Sequence, residues 1–246
     1  MNPLLNCISD VYGNISTIEN ISNEFHNREP IQYCVIDNFI NAELYALVEQ
    51  EFIEQDSFLI HDNKKDSYVS NKSIFLWTPS FLKLYNYFLS DDFELFLEKI
   101  FQEKLQKAKK ITPEWIRDNC DSGLQWVAQM YEYWDFMWWH IDLAEDPEYL
   151  KNDHSDKWVK SIKHTEVGAF VYYVYNSDNS WDKTKWWMLE MGKATNWIIE
   201  PYEEIAPLRN RLVLIGNSSY KSHHRVTHII SESDYRLSIQ DFLIRK

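Results

Sequence analysis

The second half of the chain is a succession of short segments rich in Val, Ile, Tyr, Trp and Phe, at 124–142, 166–176, 186–191, 195–200, 210–216, 223–230 and 235–245. Such residues suit a pleated, half-buried surface. Closely spaced runs of them with turn-like breaks are the pattern of an antiparallel sandwich or barrel. The first half reads differently. Residues 32–39 (QYCVIDNF) and 73–78 (SIFLWT) read as strands, but Asn41 is placed to cap a helix carrying Leu44, Leu47, Val48 and Phe52. Thr78-Pro79 opens a second helix. A third is expected over 92–110, where Phe93, Phe96, Leu97, Ile100 and Phe101 form one apolar stripe and Lys107, Lys109 and Lys110 sit near the C-terminus. The expected fold is mainly β with an α-helical N-terminal layer, the later strands forming a jelly roll.

At 246 residues the chain can bury one substantial core. We expect a single domain over 1–246, with a polar, Asn-rich extension at 1–31 (packed or partly mobile), a helical support region at 32–121 and a jelly-roll core at 122–246. The charged segment 143–164 (LAEDPEYLKNDHSDKWVKSIKH) interrupts the strand rhythm. A connection that long inside a compact domain is typically a lid or a binding loop.

Charge narrows the partners. A formal net charge of −13 repels phosphate backbones, which argues against nucleic acid and suits a cationic or zwitterionic substrate. Cys7, Cys34 and Cys120 are odd in number and lack a paired spacing, as reduced intracellular thiols would. MNPLLNCISD carries no signal-peptide pattern and no stretch is long enough to cross a bilayer, so the expectation is a soluble, cytoplasmic protein without a membrane partner.

Four residues of the β-rich half carry the chemistry. His140 and Asp142 in MWWHID are two apart, so on a strand both side chains point to one face. A second histidine is available in SHHRVTH, where period-two alternation sets His224 and His228 on one face and His223 on the other. A lone histidine is most often a surface or hydrogen-bonded residue. Two imidazoles and a carboxylate together, however, are the set that leaves half of an octahedral Fe(II) sphere open to substrate chemistry. Arg236 and Ser238 in YRLSIQDF share a face of the last strand. A charge pointing into a barrel is costly unless paired. Either one of the many acidic side chains or a bound carboxylate held by the arginine fork and the serine hydroxyl would pair it. Eight of the eleven tryptophans fall between residues 134 and 197. Most such residues are core aromatics, but Trp138 and Trp139, immediately before His140, are candidates for a substrate wall.

These segments resemble the prolyl-4-hydroxylase-like branch of the 2-oxoglutarate/Fe(II)-dependent dioxygenases. YEYWDFMWWHID at 131–142 is similar to that family's Y-x-x-G-x-F-x-x-x-H-x-D stretch through Tyr131, Phe136, His140 and Asp142. VYYVYN at 171–176 resembles a strand ending Y-L-N, and RNRLVLIGNSSYKSHHRV resembles G-R-L-V-x-F…H-x-V. YRLSIQDF resembles the closing R-x-S-x-x-x-[FW], and YCVIDNFINAEL the opening strand and helix. The resemblance covers most of the chain from about residue 32. Trp134 stands where the family has glycine, Trp186-Trp187 where it has paired glycines, and Val174 where it has a cosubstrate-binding tyrosine. Tyr172 and Tyr131 are the candidates to supply that hydroxyl.

The resemblance implies a cupin-like double-stranded β-helix in which His140, Asp142 and His224 hold Fe(II) and Arg236 and Ser238 hold 2-oxoglutarate. With O2 as the further cosubstrate, the implied reaction hydroxylates an unactivated C–H bond of an amino acid, peptide or related small molecule and releases succinate and CO2. Desaturation or cyclisation would need the same cofactors. A non-catalytic jelly-roll binding protein is the competing class; it predicts damage to this residue set, and the sequence keeps all of it.

Overall fold

A computed structural model describes residues 7–53, 59–62, 69–70, 72–75, 78–107, 128–131, 136–140, 166–176, 188–195, 198–216, 223–228 and 235–245. A 3-10 turn (Asp10–Gly13) leads into α1 (Ile15–Asn27), β1 (Tyr33–Ile36), α2 (Ala42–Ile53), β2 (Leu59–Asp62), β3 (Val69–Ser70) and β4 (Lys72–Phe75). Helices α3 (Pro79–Leu89) and α4 (Asp91–Phe101) follow, then β5 (Leu105–Lys107), β6 (Ala128–Tyr131), β7 (Phe136–His140) and β8 (Glu166–Asn176). The chain closes with β9 (Leu189–Thr195), β10 (Ile198–Ile205), β11 (Arg211–Gly216), β12 (His223–Val226) and β13 (Arg236–Arg245).

The strands form two antiparallel sheets. An eight-stranded sheet runs β1-β11-β8-β13-β6-β4-β2 with β5 also on β13, and a five-stranded sheet runs β10-β9-β12-β7-β3. The larger sheet is covered on both faces, which explains why β8 and β11 carry nearly unbroken apolar runs rather than alternating ones. In β11, Leu212 and Leu214 join the helices in one core, while Val213 and Ile215 join Leu189, Met191 and Ile205 of the smaller sheet in another. Helices therefore lie on one side of the large sheet and the small sheet lies on the other.

The helix side is dominated by aromatic packing. Phe39, Phe88 and Phe93 surround Tyr172 and Phe170 of β8, with Phe88 stacked on Phe170 at 5.6 Å between ring centroids. In α4, Ser90 caps the first turn by accepting from the Phe93 N–H, and Asp91, Asp92 and Glu94 complement the helix dipole there. Residues 10–27 pack against this layer: α1 buries Ile18 and Phe25, and Ser22 Oγ donates to the Ile100 carbonyl of α4 at 2.8 Å.

Several sequence expectations shift. The helix expected over 92–110 ends at Phe101, because Gln102 turns left-handed at φ 55° and Leu105 is needed in the core. Glu98 then accepts from the Leu105 N–H, and Lys107 pairs with Leu243 as part of β5. In α2, Asn41 caps as expected, accepting from the Leu44 N–H at 2.8 Å, but Leu47 faces outward at 52% exposure. The region 32–121 is more than helical support, since β1, β2, β4 and β5 belong to the large sheet and β3 to the small one. Cys7 and Cys34 are free and buried, and Cys120 lies outside the described residues, as does the segment 143–164. No helix among the described residues is long and apolar enough to cross a membrane.

One polar residue ties these layers together. Asn210 sits at φ 57°, a conformation asparagine tolerates better than most residues. Its Oδ1 accepts from the Ile40 N–H at 2.8 Å and from the Tyr172 hydroxyl at 2.9 Å, while its Nδ2 donates to the Ile40 carbonyl at 2.8 Å. Its own N–H donates to the Tyr173 carbonyl and its carbonyl accepts from the Phe39 N–H, both at 3.0 Å. Asn210→Ala should cost about 3–5 kcal/mol, from three buried hydrogen bonds and the left-handed backbone. Asn210→Gly should cost less because glycine keeps that dihedral freely. Urea unfolding of the two variants checks the order.

Candidate metal and carboxylate site

Burial in β12 alternates. His224 and Val226 are buried at 6% and 8% exposure, while His223 and Arg225 are half-buried. His224 pairs with Met191 of β9, and Met191 lies in the core between the sheets, so His224 faces the inter-sheet space. On its other side His224 is directly opposite His140 of β7. Opposite positions in an antiparallel pair are close neighbours on one face of the sheet. Among the three histidines of this stretch, His224 is thus the one at the strand position facing His140, and His228 lies beyond the end of β12.

The pairing of β12 with β7 is not regular. Val226 pairs with Met137 and His224 with His140, so Trp138 and Trp139 together oppose Arg225 alone. This is a β-bulge, which re-aims the residues around it. Of His140, Trp138, Trp139 and Tyr131 the backbone positions alone are described, and Asp142 lies outside the described residues.

The facing wall comes from the large sheet. Leu237 and Ile239 of β13 point to the helices, and the intervening residues take the other face. Arg236 is 2% exposed and Ser238 is 1% exposed. The Arg236 guanidinium carbon lies 5.5 Å from the centre of the Tyr173 ring, itself part of the inter-sheet core. Burying a guanidinium demands strong compensating contacts, and such a group is a ready partner for a carboxylate. Ser238 Oγ is buried with no hydrogen-bond partner among the described residues. A hydroxyl in that state beside a buried cation fits a bound oxygen-rich anion.

The tyrosine candidates separate clearly. Tyr131 is directly opposite Arg236 in the β6–β13 pairing. Tyr172 is not at the site: it packs with Phe39 and Phe88 on the helix side, and its hydroxyl donates to Asn210. Burial pushes its phenol well above the ordinary range, so it remains a neutral donor to that partner. Sequence reading missed Tyr173. Leu237 pairs with Tyr175 and Ser238 with Tyr173, leaving Val174 as an extra residue in β8. Tyr175 and Val174 consequently both contribute to the helix-side core, while Tyr173 alone of the three faces Arg236. A Tyr-Tyr doublet on a strand buried on both faces was the available signal, since one of the pair must face each way.

No protein-family model and no curated protein matches the sequence. Solved structures do match in fold. A prolyl-4-hydroxylase from Pseudomonas putida is 12% identical with a TM-score of 0.50, over 92% of this chain and 99% of that one. A prolyl hydroxylase from Trichoplax adhaerens, in complex with a hypoxia inducible factor peptide fragment, is 14% identical with a TM-score of 0.56, over 94% and 92%. The non-heme alpha ketoglutarate dependent epimerase SnoN from nogalamycin biosynthesis is 9% identical with a TM-score of 0.50, over 94% and 84%. Two apposed antiparallel sheets with a helical layer, matched over nearly the whole chain, give this protein the fold of the prolyl hydroxylases and of a related 2-oxoglutarate-dependent enzyme.

Proposed function

We propose that the chain is an Fe(II)- and 2-oxoglutarate-dependent dioxygenase that hydroxylates an unactivated C–H bond of an amino acid, peptide or related small molecule. The observation that carries this reading is the pairing of buried His224 with His140 on adjacent strands, across from buried Arg236 and Ser238 on the other sheet. The two sheets then correspond to the jelly roll of such enzymes, folded as one domain. His140, Asp142 and His224 would hold the iron, two imidazoles and a carboxylate leaving open positions for cosubstrate and dioxygen. Bound iron and 2-oxoglutarate supply the oxidising power, so that R–H, O2 and 2-oxoglutarate give R–OH, succinate and CO2.

The protein's own groups orient and shield. Arg236 supplies a fixed, permanently charged fork for the far carboxylate of 2-oxoglutarate, and Ser238 adds a hydroxyl donor. Tyr173 and Tyr131 flank that cation, in the core contact and in the strand register respectively. Met191, Leu189 and Val213, each at 2% exposure or less, belong with Tyr173 to the apolar core between the sheets, which would limit water around the carboxylate contacts. The acidic surface suits a cationic or zwitterionic substrate, and the peptide complex of the Trichoplax adhaerens enzyme makes a peptide one candidate. The epimerase fold-match supports a second outcome at the same site, hydrogen abstraction without net hydroxylation.

Anaerobic addition of Fe(II) and then 2-oxoglutarate to the apo-protein should give a visible iron-to-ketoacid charge-transfer band that Asp142→Ala abolishes. Folded protein with no band would reject the enzyme in favour of a non-catalytic binding protein. Arg236→Ala should raise the 2-oxoglutarate needed for half-saturation roughly 30-fold or more, the cost of removing one partner of a buried charged contact. Tyr172→Phe should lose about 1 kcal/mol of stability with its bond to Asn210 and leave half-saturation unchanged. Weaker 2-oxoglutarate binding in Tyr172→Phe would return that tyrosine to the site.

A further inference from the structure

Between His224 and Val226, which face the inter-sheet space, Arg225 turns to the opposite face of the small sheet. Its Nε donates to Glu190 Oε2 at 2.6 Å, and Glu190 is its direct register partner on β9. Glu190 alternates with the inward-facing Leu189 and Met191, so it too lies on the outer face. Yet its side chain is only 7% exposed, against 24% for Arg225. Its other neighbour in register is Glu204 of β10, a second carboxylate. A buried acid placed next to another acid is an expensive way to hold two strands together, and apolar residues would do that at least as well.

That arrangement is explained by what lies on the other side of the sheet. One residue along β12, on the opposite face, is His224, whose register partner on β7 is His140; both are proposed iron ligands. Arginine cannot shed its proton, so Arg225 brings a permanent positive charge one residue from a ligand of a divalent cation. In a poorly solvated sheet such a charge repels the metal ion, and a carboxylate in contact with it cancels most of that field. The β12 strand is also clamped just past the histidine, where the Met188 N–H donates to Thr227 Oγ1 at 2.9 Å and the Thr227 N–H donates to the Met188 carbonyl at 3.1 Å. Strand register therefore has its own support, and the ion pair is available for an electrostatic task.

We infer that Glu190 is a positioning residue for the metal site, acting through Arg225 by neutralising the guanidinium that stands behind His224. The inference rests on the proposal that His140, Asp142 and His224 bind Fe(II). It is separable from that proposal because it concerns the sign and size of a charge effect on metal affinity.

The test is Co(II) titration of the full-length apo-protein, read by the visible absorption of the bound ion, with folding followed by thermal unfolding. Glu190→Gln should weaken Co(II) binding roughly tenfold, in the range seen when outer partners of metal ligands are removed. Arg225→Gln should bind Co(II) more tightly than the wild type, because Glu190 then acts uncompensated. The double variant should return close to wild-type affinity, which a role confined to strand packing would not produce. Wild-type affinity in Glu190→Gln, or a double variant as weak as Glu190→Gln, would overturn the inference. Should Glu190→Gln fail to fold, Arg225→Gln decides alone: tighter binding supports charge cancellation, and equal or weaker binding rejects it. Folded wild type that binds no Co(II) would overturn the metal site itself.

Discussion

Strands β8, β11 and β13 lie in the middle of the large sheet with helices against one face and the small sheet against the other, so most of their side chains are shielded from water. The buried side chains on these strands must then be apolar or have their polar atoms provided for. Leu212, Val213, Leu214 and Ile215, all at 0% exposure, meet the first condition. Asn210, at the entrance to β11, meets the second by satisfying the Phe39-Ile40 backbone, the Tyr172 hydroxyl and the Tyr173 carbonyl at once. Arg236 and Ser238 of β13 are buried polar members of this layer, on the face toward the small sheet.

The site depends on two breaks in strand regularity. In β8 the extra residue Val174 lets Tyr175 join the helix-side core and gives Tyr173 the inward position beside Arg236. In β7 the extra residue among Trp138 and Trp139 brings His140 level with His224. A one-residue change of register would move this pairing, so the bulge sets which residues of the two strands stand opposite one another. Bulges of this kind cost ladder hydrogen bonds, and they occur where a side chain must be re-aimed.

Charge is distributed with the same economy. The surface carries a large negative excess, while the interior cation Arg236 faces the inter-sheet space and Arg225 on the outer face is held by Glu190. A buried arginine next to a proposed carboxylate-binding position is an asset. An arginine behind a proposed dication position is a liability, and a contacting carboxylate removes it.

Much of this was written in the order of residues. The apolar stripes of α2 and α4, the capping Asn41 and the β-rich second half follow from local pattern, because alternation and helical spacing are properties of the chain itself; the histidine, arginine and serine of the candidate site stood out by residue type and by resemblance. The end of α4 at Phe101 was not legible, since the lysines beyond it suit a helix end and only the core's need for Leu105 stops it. Leu47 looked like a core residue and lies outside for the same reason: spacing marks a stripe, not its width. Sequence alone thus singled out which side chains could bind a metal and a carboxylate, and of these His140, His224, Arg236 and Ser238 lie on strands. Tertiary structure decided that Tyr173 rather than Tyr172 accompanies Arg236, that His224 rather than His228 lies on the strand paired with His140, and that Glu190 pairs with Arg225. Each of these choices depends on register and bulges between strands distant in sequence, and strand pairing over such distances leaves no local trace.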